Sequence, residues 1–385
     1  MAPIRIGLIG LSTSSKATNW AVLAHLPYLQ SPLGQSHYKI VALCNSSVES
    51  AKKSIAHFNL SPTIKAYGSA RDLVTDPDVE LVVNVTGVES HYDVLLPVVK
   101  AGKDVYSELP LASNMAQMRE LIDAARAKGV KTIFGLQGQA HPVVHLIKKM
   151  IVGDKIGKPL STTLTATTGS SLDRPLPIAF KMLAERKAGG NFATIWFLHS
   201  INCLLDTFGE LDSFNSIMGT DHPALDLIDP SKGTEIIDTI AKDCPDNTHL
   251  QGRFSSGTLL TYQLRAGPSF PGEPGCRWII NGTKGDILIT NPRGCFDIEH
   301  SGIKIQYRKA GENTAEEVML EEDNLSGLEH PAQNVGRVFE AFAKGEAEKY
   351  ADWKTAMRRH SFIDEMFERG DREGAFGRPA EYMES

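Results

Sequence analysis

The sequence predicts an α/β domain with a doubly wound parallel sheet, followed by an α+β domain with an open-faced, mainly antiparallel sheet. Two patterns within the 385 residues indicate this order. The early apolar runs are continuous and separated by helix-length stretches, as in parallel strands that are covered on both faces. Later runs alternate apolar and polar residues, as in antiparallel strands with one covered face. Because a single core stops growing at roughly 250 to 300 residues, we expect two domains, 1–135 and 136–385.

The first domain is predicted to begin with an apolar strand that starts at Ile4 and runs into a loop of small residues. Further apolar runs predict strands at 39–44, 81–85, 104–106 and 132–136. Residues 114–128 have the helical period, with an apolar stripe formed by Met115, Met118, Leu121, Ile122 and Ala125. Asn114 and Gln117 predict a capping box at the start of this helix, and Gly129 predicts its end.

The second domain is predicted to contain strands at 160–166, 277–281 and 286–290, with a tight turn at 282–285. A hairpin is predicted around Ser255-Ser256-Gly257. In its second arm, one face carries Leu260, Tyr262 and Leu264, and the other carries Thr261, Gln263 and Arg265. The segment from His330 to about Glu368 has a helical pattern, and we expect it to pack back toward the first domain. An open sheet face also predicts a homodimer through the C-terminal sheet.

Composition limits the class of protein. The formal charge is −6 with dispersed basic residues, so we expect no direct nucleic-acid binding. No apolar run approaches the roughly 20 residues of a membrane span, and the N-terminus has no secretory signal, which predicts a cytoplasmic protein. The cysteines are scattered and predict buried reduced thiols rather than disulfides or a zinc site: Cys44, Cys203, Cys244, Cys276 and Cys295. We expect no metal site.

The loop after the first strand is suited to an anion. Dinucleotide sites place the pyrophosphate at a helix N-terminus, usually after a G-x-G-x-x-G sequence. Here Gly10 is kept, whereas serines stand where the other two glycines would fall. Their hydroxyls and one lysine could contact phosphate oxygens; the alternative is an ordinary strand-to-loop turn. The candidate phosphate-binding residues are Gly10, Leu11, Ser12, Ser14, Ser15 and Lys16.

The end of the second strand bears on the choice of coenzyme. NAD enzymes usually present a carboxylate there to the adenosine ribose. This chain has Asn45, Ser46 and Ser47 after Cys44. Without a carboxylate to repel a 2′-phosphate, NADP is favoured over NAD.

Taken together, the motifs resemble those of the Gfo/Idh/MocA oxidoreductase family. The segments that carry the resemblance are Gly7-Leu8-Ile9-Gly10, Tyr67-Gly68-Ser69, the run 76–83, the lead 101–105 into Glu108-Leu109-Pro110, Gly189-Gly190 with His199, and the 282–285 turn. The run Leu136-Gln137-Gly138-Gln139 is similar to the branch that contains the fungal galactose-pathway repressor. The resemblance implies a Rossmann domain that binds a nicotinamide dinucleotide, followed by an open-faced sheet domain.

The resemblance also exposes two substitutions. Enzymes of the family place a lysine in a Glu-Lys-Pro motif and an aspartate four residues before a proton-transfer histidine. Here Leu109 and Ile195 stand at those positions. His199 is the remaining candidate acid or base, on a helix that the resemblance places facing the nicotinamide. The alternative is a satisfied core histidine.

Further residues are candidates for the coenzyme side of the site. Thr86 and His91 follow one strand, Glu108 and Leu109 end the next, and Gln137 follows the last. Ligands of open α/β sheets gather at these carboxyl ends. Gln139 and His141 either line the cleft or solvate a loop. Arg174 and Lys181 are candidates to replace the missing lysine.

The sequence thus predicts an NADP(H)-dependent oxidoreductase that transfers a hydride to or from a small, rather apolar substrate such as a carbonyl, imine or activated alkene. The rival hypothesis is a catalytically silent, dinucleotide-binding transcriptional regulator that binds a protein partner. A protein that keeps its dinucleotide and epimerises or oxidises in place is a third hypothesis.

Overall fold

The computed structural model describes residues 2–13, 19–169, 174–294 and 302–372. The chain divides into two compact units. Unit 1 consists of Met1–Ala140, Lys187–Gly189 and Glu322–Ser361, and unit 2 of His141–Arg186, Gly190–Glu321 and Phe362–Ser385.

Unit 1 is built on a six-stranded parallel sheet. Its strands are β1 (Ile4–Ile9), β2 (Tyr38–Cys44), β3 (Lys65–Tyr67), β4 (Leu81–Asn84), β5 (Asp104–Ser107) and β6 (Thr132–Phe134). The helices of this unit include α1 (Leu26–Gln30), α2 (Pro32–His37), α3 (Val48–His57), α4 (Ala70–Leu73), α5 (Val88–Lys100) and α6 (Met115–Lys128).

The strand order is β3-β2-β1-β4-β5-β6, and every pair is parallel. The order reverses between β1 and β4, which pair from Ile6–Leu81 to Ile9–Asn84. All four residues of β4 are buried, as expected for a strand covered on both faces. This arrangement is the doubly wound, Rossmann-like fold that the sequence predicts. Crevices at such a reversal bind ligands at the carboxyl ends of the strands.

The α6 helix follows its predicted signals. Asn114 is its N-cap and accepts a hydrogen bond from the Gln117 amide at 3.0 Å. Gly129 ends the helix with φ of 66°. The Gln117 side-chain oxygen has no partner among the described residues, so the reciprocal half of the capping box is missing.

The segment from His330 to about Glu368 is mostly helical, as the sequence predicts. It contains two helices, α9 (Ala332–Lys344), which belongs to unit 1, and α10 (Trp353–Arg372), whose residues are divided between the two units. Gly345, in the left-handed conformation with φ of 74°, ends α9, and a short 3-10 turn follows. Phe339 of α9 stacks on Tyr28 with ring centroids 5.3 Å apart, which ties this helix to α1.

Unit 2 contains an eight-stranded, mainly antiparallel sheet. Its strands are β7 (Pro159–Thr167), β9 (Leu211–Gly219), β12 (Asn247–Phe254), β13 (Leu259–Arg265), β14 (Cys276–Gly282), β15 (Gly285–Asn291), β16 (Lys304–Lys309) and β17 (Glu316–Glu317). The order is β17-β16-β15-β14-β7-β13-β12-β9, with one parallel pair, β7 and β13. Leu260, Tyr262 and Leu264 are buried on one face, as the alternation predicts. Helices α7 (Pro142–Val152) and α8 (Leu198–Phe208) also belong to this unit.

A second, three-stranded sheet in unit 2 was not predicted. It consists of β8 (Leu176–Pro177), β10 (Ala224–Ile228) and β11 (Ile236–Ala241). Leu225 and Leu227 of β10 are fully buried in a small apolar cluster with Phe192 and Cys244. The cluster brings together residues far apart in the chain.

Cys44, Cys203, Cys244 and Cys276 are buried thiols that are not joined in disulfides, and Cys295 lies outside the described residues. Burial raises the pKa of the Cys44 and Cys244 thiols to about 11. None of the helices in the described ranges combines the length and hydropathy that a bilayer span requires.

Candidate nucleotide site

The carboxyl ends of the unit 1 strands carry most of the predicted site residues. Gly10 follows β1, Asn45 follows β2, Thr86 follows β4, Glu108 follows β5 and Gln137 follows β6. Because parallel strands end at the same edge of a sheet, the fold gathers these residues there.

Gly10 is fixed by a close approach between backbones. Its φ is 97°, and a Cβ at this position would lie 2.6 Å from the carbonyl oxygen of Val85. The Gly10 amide donates to the carbonyl of Cys44 at 3.1 Å. A glycine is therefore required for the first loop to pass between the ends of β2 and β4.

The first two residues after Gly10, Leu11 and Ser12, are held by contacts within unit 1. Leu11 is fully buried in the core of unit 1. The carbonyl oxygen of Ser12 accepts a hydrogen bond from the Asn19 side chain at 2.6 Å, which holds the start of the loop against the entry to the next helix. The predicted phosphate contacts Ser14, Ser15 and Lys16 lie outside the described residues.

The side chains after β2 are largely engaged within the protein. The Asn45 amide nitrogen donates to the Leu11 carbonyl at 2.8 Å and to the Ser54 hydroxyl at 3.1 Å. Ser47 is the N-cap of α3 and accepts from the Ser50 amide at 3.1 Å. Ser46 is exposed. Of the three predicted ribose-side residues, Ser46 thus presents a hydroxyl to solvent.

The end of β4 holds a chain of polar groups. Asn84 is fully buried, and its oxygen accepts a hydrogen bond from the Thr86 hydroxyl at 3.0 Å. The Ser90 hydroxyl in turn donates to the Thr86 hydroxyl oxygen at 2.8 Å. The Asn84 amide nitrogen has no partner among the described residues. Asn84 was not predicted as a site residue, because it reads as part of an apolar strand.

His91 joins the ends of two strands. Its Nδ1 lies 2.8 Å from the carbonyl oxygen of Pro110, and its Nε2 lies 3.0 Å from that of Thr86. Burial lowers the pKa of His91, although both carbonyls favour its protonated form. A neutral ring donates to one carbonyl at a time. Both ring nitrogens of His91 are therefore occupied by backbone carbonyls. Leu109 is half-buried and precedes Pro110 through a cis peptide bond.

Glu108 is held by a residue that the sequence analysis missed. Oε1 of Glu108 lies 2.6 Å from Nε2 of His25, which is fully buried. His25 ends a single π-helical turn, Ala21–His25. It is 83 residues from Glu108 in the chain. A lone histidine in an apolar stretch gave no signal of this pairing.

Gln137 is fully buried in a 3-10 turn, Gln137–Ala140, that follows β6. Neither its amide nitrogen nor its amide oxygen has a partner among the described residues. A buried amide without hydrogen bonds costs about 1 to 3 kcal/mol for each unpaired group. By contrast, the Gln139 amide nitrogen donates to the Glu348 carbonyl at 3.3 Å.

A nicotinamide dinucleotide fits the hydrogen-bonding demands of this edge. The unpaired Asn84 nitrogen needs an acceptor, and the Gln137 amide needs both an acceptor and a donor. Ribose hydroxyls and a carboxamide supply both kinds of group, and a pyrophosphate supplies acceptors. Among the described residues, no group of three or more His, Cys, Asp or Glu side chains is arranged to hold a metal ion.

Unit 2 carries the other predicted residues. His199 lies on α8 and is 8% exposed. Ile195 lies in a π-helical turn, Ala193–Phe197, whose start is capped by the Asn191 oxygen, 3.0 Å from the Thr194 amide. His141 is buried and caps α7, accepting from the Val143 amide. The predicted stand-ins for the lysine, Arg174 and Lys181, are exposed.

Comparisons with known proteins agree with these observations. The model of the Gfo/Idh/MocA oxidoreductase family, NAD-binding Rossmann fold, matches residues 4–136. The model of the Gal80p C-terminal domain matches residues 142–291.

Two curated relatives extend over most of the chain. The dehydrogenase aclE of Aspergillus oryzae is 27% identical over 94% of each chain. The galactose/lactose metabolism regulatory protein GAL80 of Saccharomyces cerevisiae is 27% identical over 78% of this chain and 69% of its own. A crystal structure of a super-repressor mutant of Gal80p from that yeast has the same fold, with a TM-score of 0.82, 23% identity and 95% of each chain covered. The chain therefore joins an NAD(P)-binding Rossmann domain of the Gfo/Idh/MocA family, over residues 4–136, to a domain of the Gal80p C-terminal type, over residues 142–291.

Proposed function

We propose that this protein is an NADP(H)-dependent oxidoreductase that acts on a small, rather apolar organic substrate. The observation that carries the proposal is the set of unpaired, buried amide groups of Asn84 and Gln137 at the carboxyl edge of the parallel sheet. Natural proteins rarely leave such groups without a partner. A bound dinucleotide supplies partners for both and, through its nicotinamide, the hydride.

Catalysis is supported by a relative that is 27% identical over 94% of each chain and is named a dehydrogenase. In this proposal His199 gives or takes the proton that accompanies hydride transfer. Leu109 removes the lysine charge that would polarise a hydroxyl or carbonyl in other family enzymes. The reaction therefore depends on the coenzyme and one histidine, which favours substrates that are already activated for hydride transfer.

The apolar character of the substrate is inferred from unit 2. Phe192 and Trp196 stack with centroids 4.9 Å apart, just before the helix that carries His199. Apolar and aromatic walls with few polar groups are typical of small-molecule pockets. The pair packs on the buried cluster with Leu225 and Leu227, so the start of this helix has apolar surroundings, which favours a carbonyl, imine or activated alkene on an apolar skeleton.

The choice of NADP(H) rests on the residues after β2. No carboxylate stands at 45–47, and Ser46 is exposed. An exposed hydroxyl can donate to a 2′-phosphate, and no charge at these positions opposes it.

A second candidate function is a dinucleotide-responsive regulator that binds a protein partner and turns nothing over. It is favoured by two apolar residues, Leu109 and Ile195, which stand where enzymes of the family have a catalytic lysine and an aspartate. The relative named a regulatory protein, and the Gal80p type of the second domain, also support it.

One experiment separates the two. The purified protein is screened with NADPH and NADH against hydrophobic carbonyls, imines and enones, with hydride transfer followed at the reduced nicotinamide. We expect turnover that falls at least about hundredfold in His199→Ala, in line with the usual contribution of acid-base catalysis. The matched control, His249→Ala, changes an exposed histidine of unit 2 and should retain activity. Tight coenzyme binding without turnover would favour the regulator, and full activity in His199→Ala would remove the proposed role of that residue.

A further inference from the structure

The His25–Glu108 pair is the closest side-chain contact at the carboxyl edge of the unit 1 sheet. Nε2 of His25 and Oε1 of Glu108 are 2.6 Å apart, and Glu108 is 12% exposed in its side chain. A carboxylate accepts hydrogen bonds, so Nε2 is the donor in this contact. Hydrogen bonds to a charged acceptor are shorter and stronger than neutral ones. The contact therefore fixes the rotamer of Glu108.

His25 is itself fixed by its surroundings. Its ring meets Tyr106 edge-on with centroids 5.0 Å apart and Phe339 edge-on at 5.7 Å. It is fully buried, and its Nδ1 has no partner among the described residues. Both aromatic neighbours are also fully buried, so the imidazole is packed on two sides while its Nε2 faces Glu108.

The second oxygen of Glu108 is left for a ligand. Oε2 lies 2.5 Å from the position that a Cβ on Gly135 would take, and no described residue donates a hydrogen bond to it. His25 thus engages one oxygen of the carboxylate and leaves the other as an acceptor at the edge where the unpaired groups of Asn84 and Gln137 also lie. A ribose diol is the donor that this carboxylate would meet in a bound dinucleotide.

We infer that His25 is a positioning residue of the coenzyme site, which acts through Glu108 by holding its carboxylate in the orientation that accepts hydrogen bonds from the nicotinamide-side ribose. The inference rests on the proposed function. In this chain the residue after Glu108 is Leu109, so the next residue in sequence offers no ammonium group to the carboxylate. His25, supplied by the π-helical turn Ala21–His25, takes that role. Such turns often occur at functional sites.

The test is a set of coenzyme titrations of the full chain, with NADPH and NADH each followed by calorimetry. His25→Leu removes the donor and keeps an apolar side chain in the buried site, and we expect it to weaken coenzyme binding about tenfold or more. His25→Gln can still reach Glu108 with an amide nitrogen and should stay within about threefold of the unchanged protein. Glu108→Ala should weaken binding as well, and adding His25→Leu to it should cause no further loss.

Tyr28→Phe is the matched control. It removes the 2.6 Å hydrogen bond from Tyr28 to Glu340 and keeps the ring that stacks on Phe339 in the same aromatic cluster. It should lower the melting temperature and leave coenzyme affinity unchanged. Equal affinities in His25→Leu and the unchanged protein, or losses that add up in the double variant, would overturn the inference alone. Binding of neither coenzyme by the unchanged protein would overturn the proposed function and this inference together.

Discussion

A Cβ atom on residue 135 would lie 2.5 Å from Oε2 of Glu108, so the carboxylate of Glu108 occupies the space that a side chain at Gly135 would fill. The contact crosses the neighbouring ends of β5 and β6, where the Gly135 amide donates to the Ser107 carbonyl at 2.9 Å. The carboxylate of Glu108, which follows β5, can therefore occupy this position only because residue 135, which follows β6, is a glycine.

Gly135→Ala should displace this carboxylate and weaken coenzyme binding about tenfold to hundredfold, because a hydrogen bond from the ribose to a charged acceptor is worth about 1.5 to 3 kcal/mol. Calorimetric titration measures the change. Gly327→Ala, at a glycine of the same unit with no atom within 4 Å of its Cβ position, is the control and should bind normally. Unchanged affinity in Gly135→Ala would mean that Glu108 does not contact the coenzyme.

Gly10→Ala should destabilise unit 1 by about 2 to 4 kcal/mol, because the new side chain has two costs. The backbone stays in the left-handed region, and the Cβ collides with the Val85 carbonyl. Gly102→Ala tests strain alone. Its φ is 75° and its Cβ position is open, so we expect a loss of about 1 kcal/mol. Urea unfolding measures both. Equal losses in the two variants would show that the loop moves away from Val85 at little cost.

The pH dependence of stability should reflect His360. Burial lowers its pKa from the usual 6.5 to about 4, and its Nε2 accepts a hydrogen bond from the Leu111 amide. Between these two pKa values the unfolded chain takes up a proton that the folded chain does not. The free energy of unfolding should therefore fall as the pH drops from about 6.5 to 4, by up to about 3 kcal/mol from this residue, and stay level above 6.5.

His360→Gln keeps an acceptor for Leu111 and removes the titration. Its unfolding free energy, measured by urea at several pH values, should fall less steeply than that of the unchanged protein between pH 6.5 and 4. His91, whose pKa is also lowered by burial, contributes equally to both proteins. Parallel pH profiles would contradict the prediction.

The fold could be predicted where the sequence pattern is dictated by burial. Strands such as β4 are apolar throughout because both faces are covered, and β13 alternates because one face is open. The edge strand β3 was missed because its three residues, Lys65–Tyr67, are all at least partly exposed and are ordered by pairing with β2. The three-stranded sheet was missed because β8 has two residues and the residues of β11 are mostly exposed.

The candidate site could be predicted in part, for a similar reason. Strand ends are readable in a sequence, so the positions of Gly10, Glu108 and Gln137 after β1, β5 and β6 could be predicted. Asn45 and Ser47 were also predicted to face a ligand, but whether a side chain turns outward depends on neighbours such as Leu11 and Ser50. His25 could not be predicted from the sequence, because its partner Glu108 lies 83 residues away in the chain.

Ser46→Asp should change the preference between coenzymes. A carboxylate beside the adenosine ribose repels a 2′-phosphate, so NADPH affinity should fall about tenfold or more, with NADH affinity kept or improved. Ser46→Asn is a neutral control of similar size and should leave the ratio of the two dissociation constants nearly unchanged. Fluorescence titration of the reduced nicotinamide gives both constants. An unaltered ratio in Ser46→Asp would place the 2′-phosphate away from this residue and remove the basis for proposing NADP(H).

We expect the protein to form a homodimer through the open face of the eight-stranded sheet. Its middle row is uncharged and runs in register across β15, β14, β7, β13, β12 and β9, through Leu288, Ile279, Thr163, Thr261, Gln251 and Asn215. Thr163 and Thr261 are adjacent at its centre. Replacing both with arginine places like charges in the middle of such an interface, so the protein should sediment as a monomer. Thr314→Arg, in an exposed loop of the same unit, should leave the dimer intact. A monomeric unchanged protein, or a dimer that survives both arginines, would show that this face is not the contact between copies.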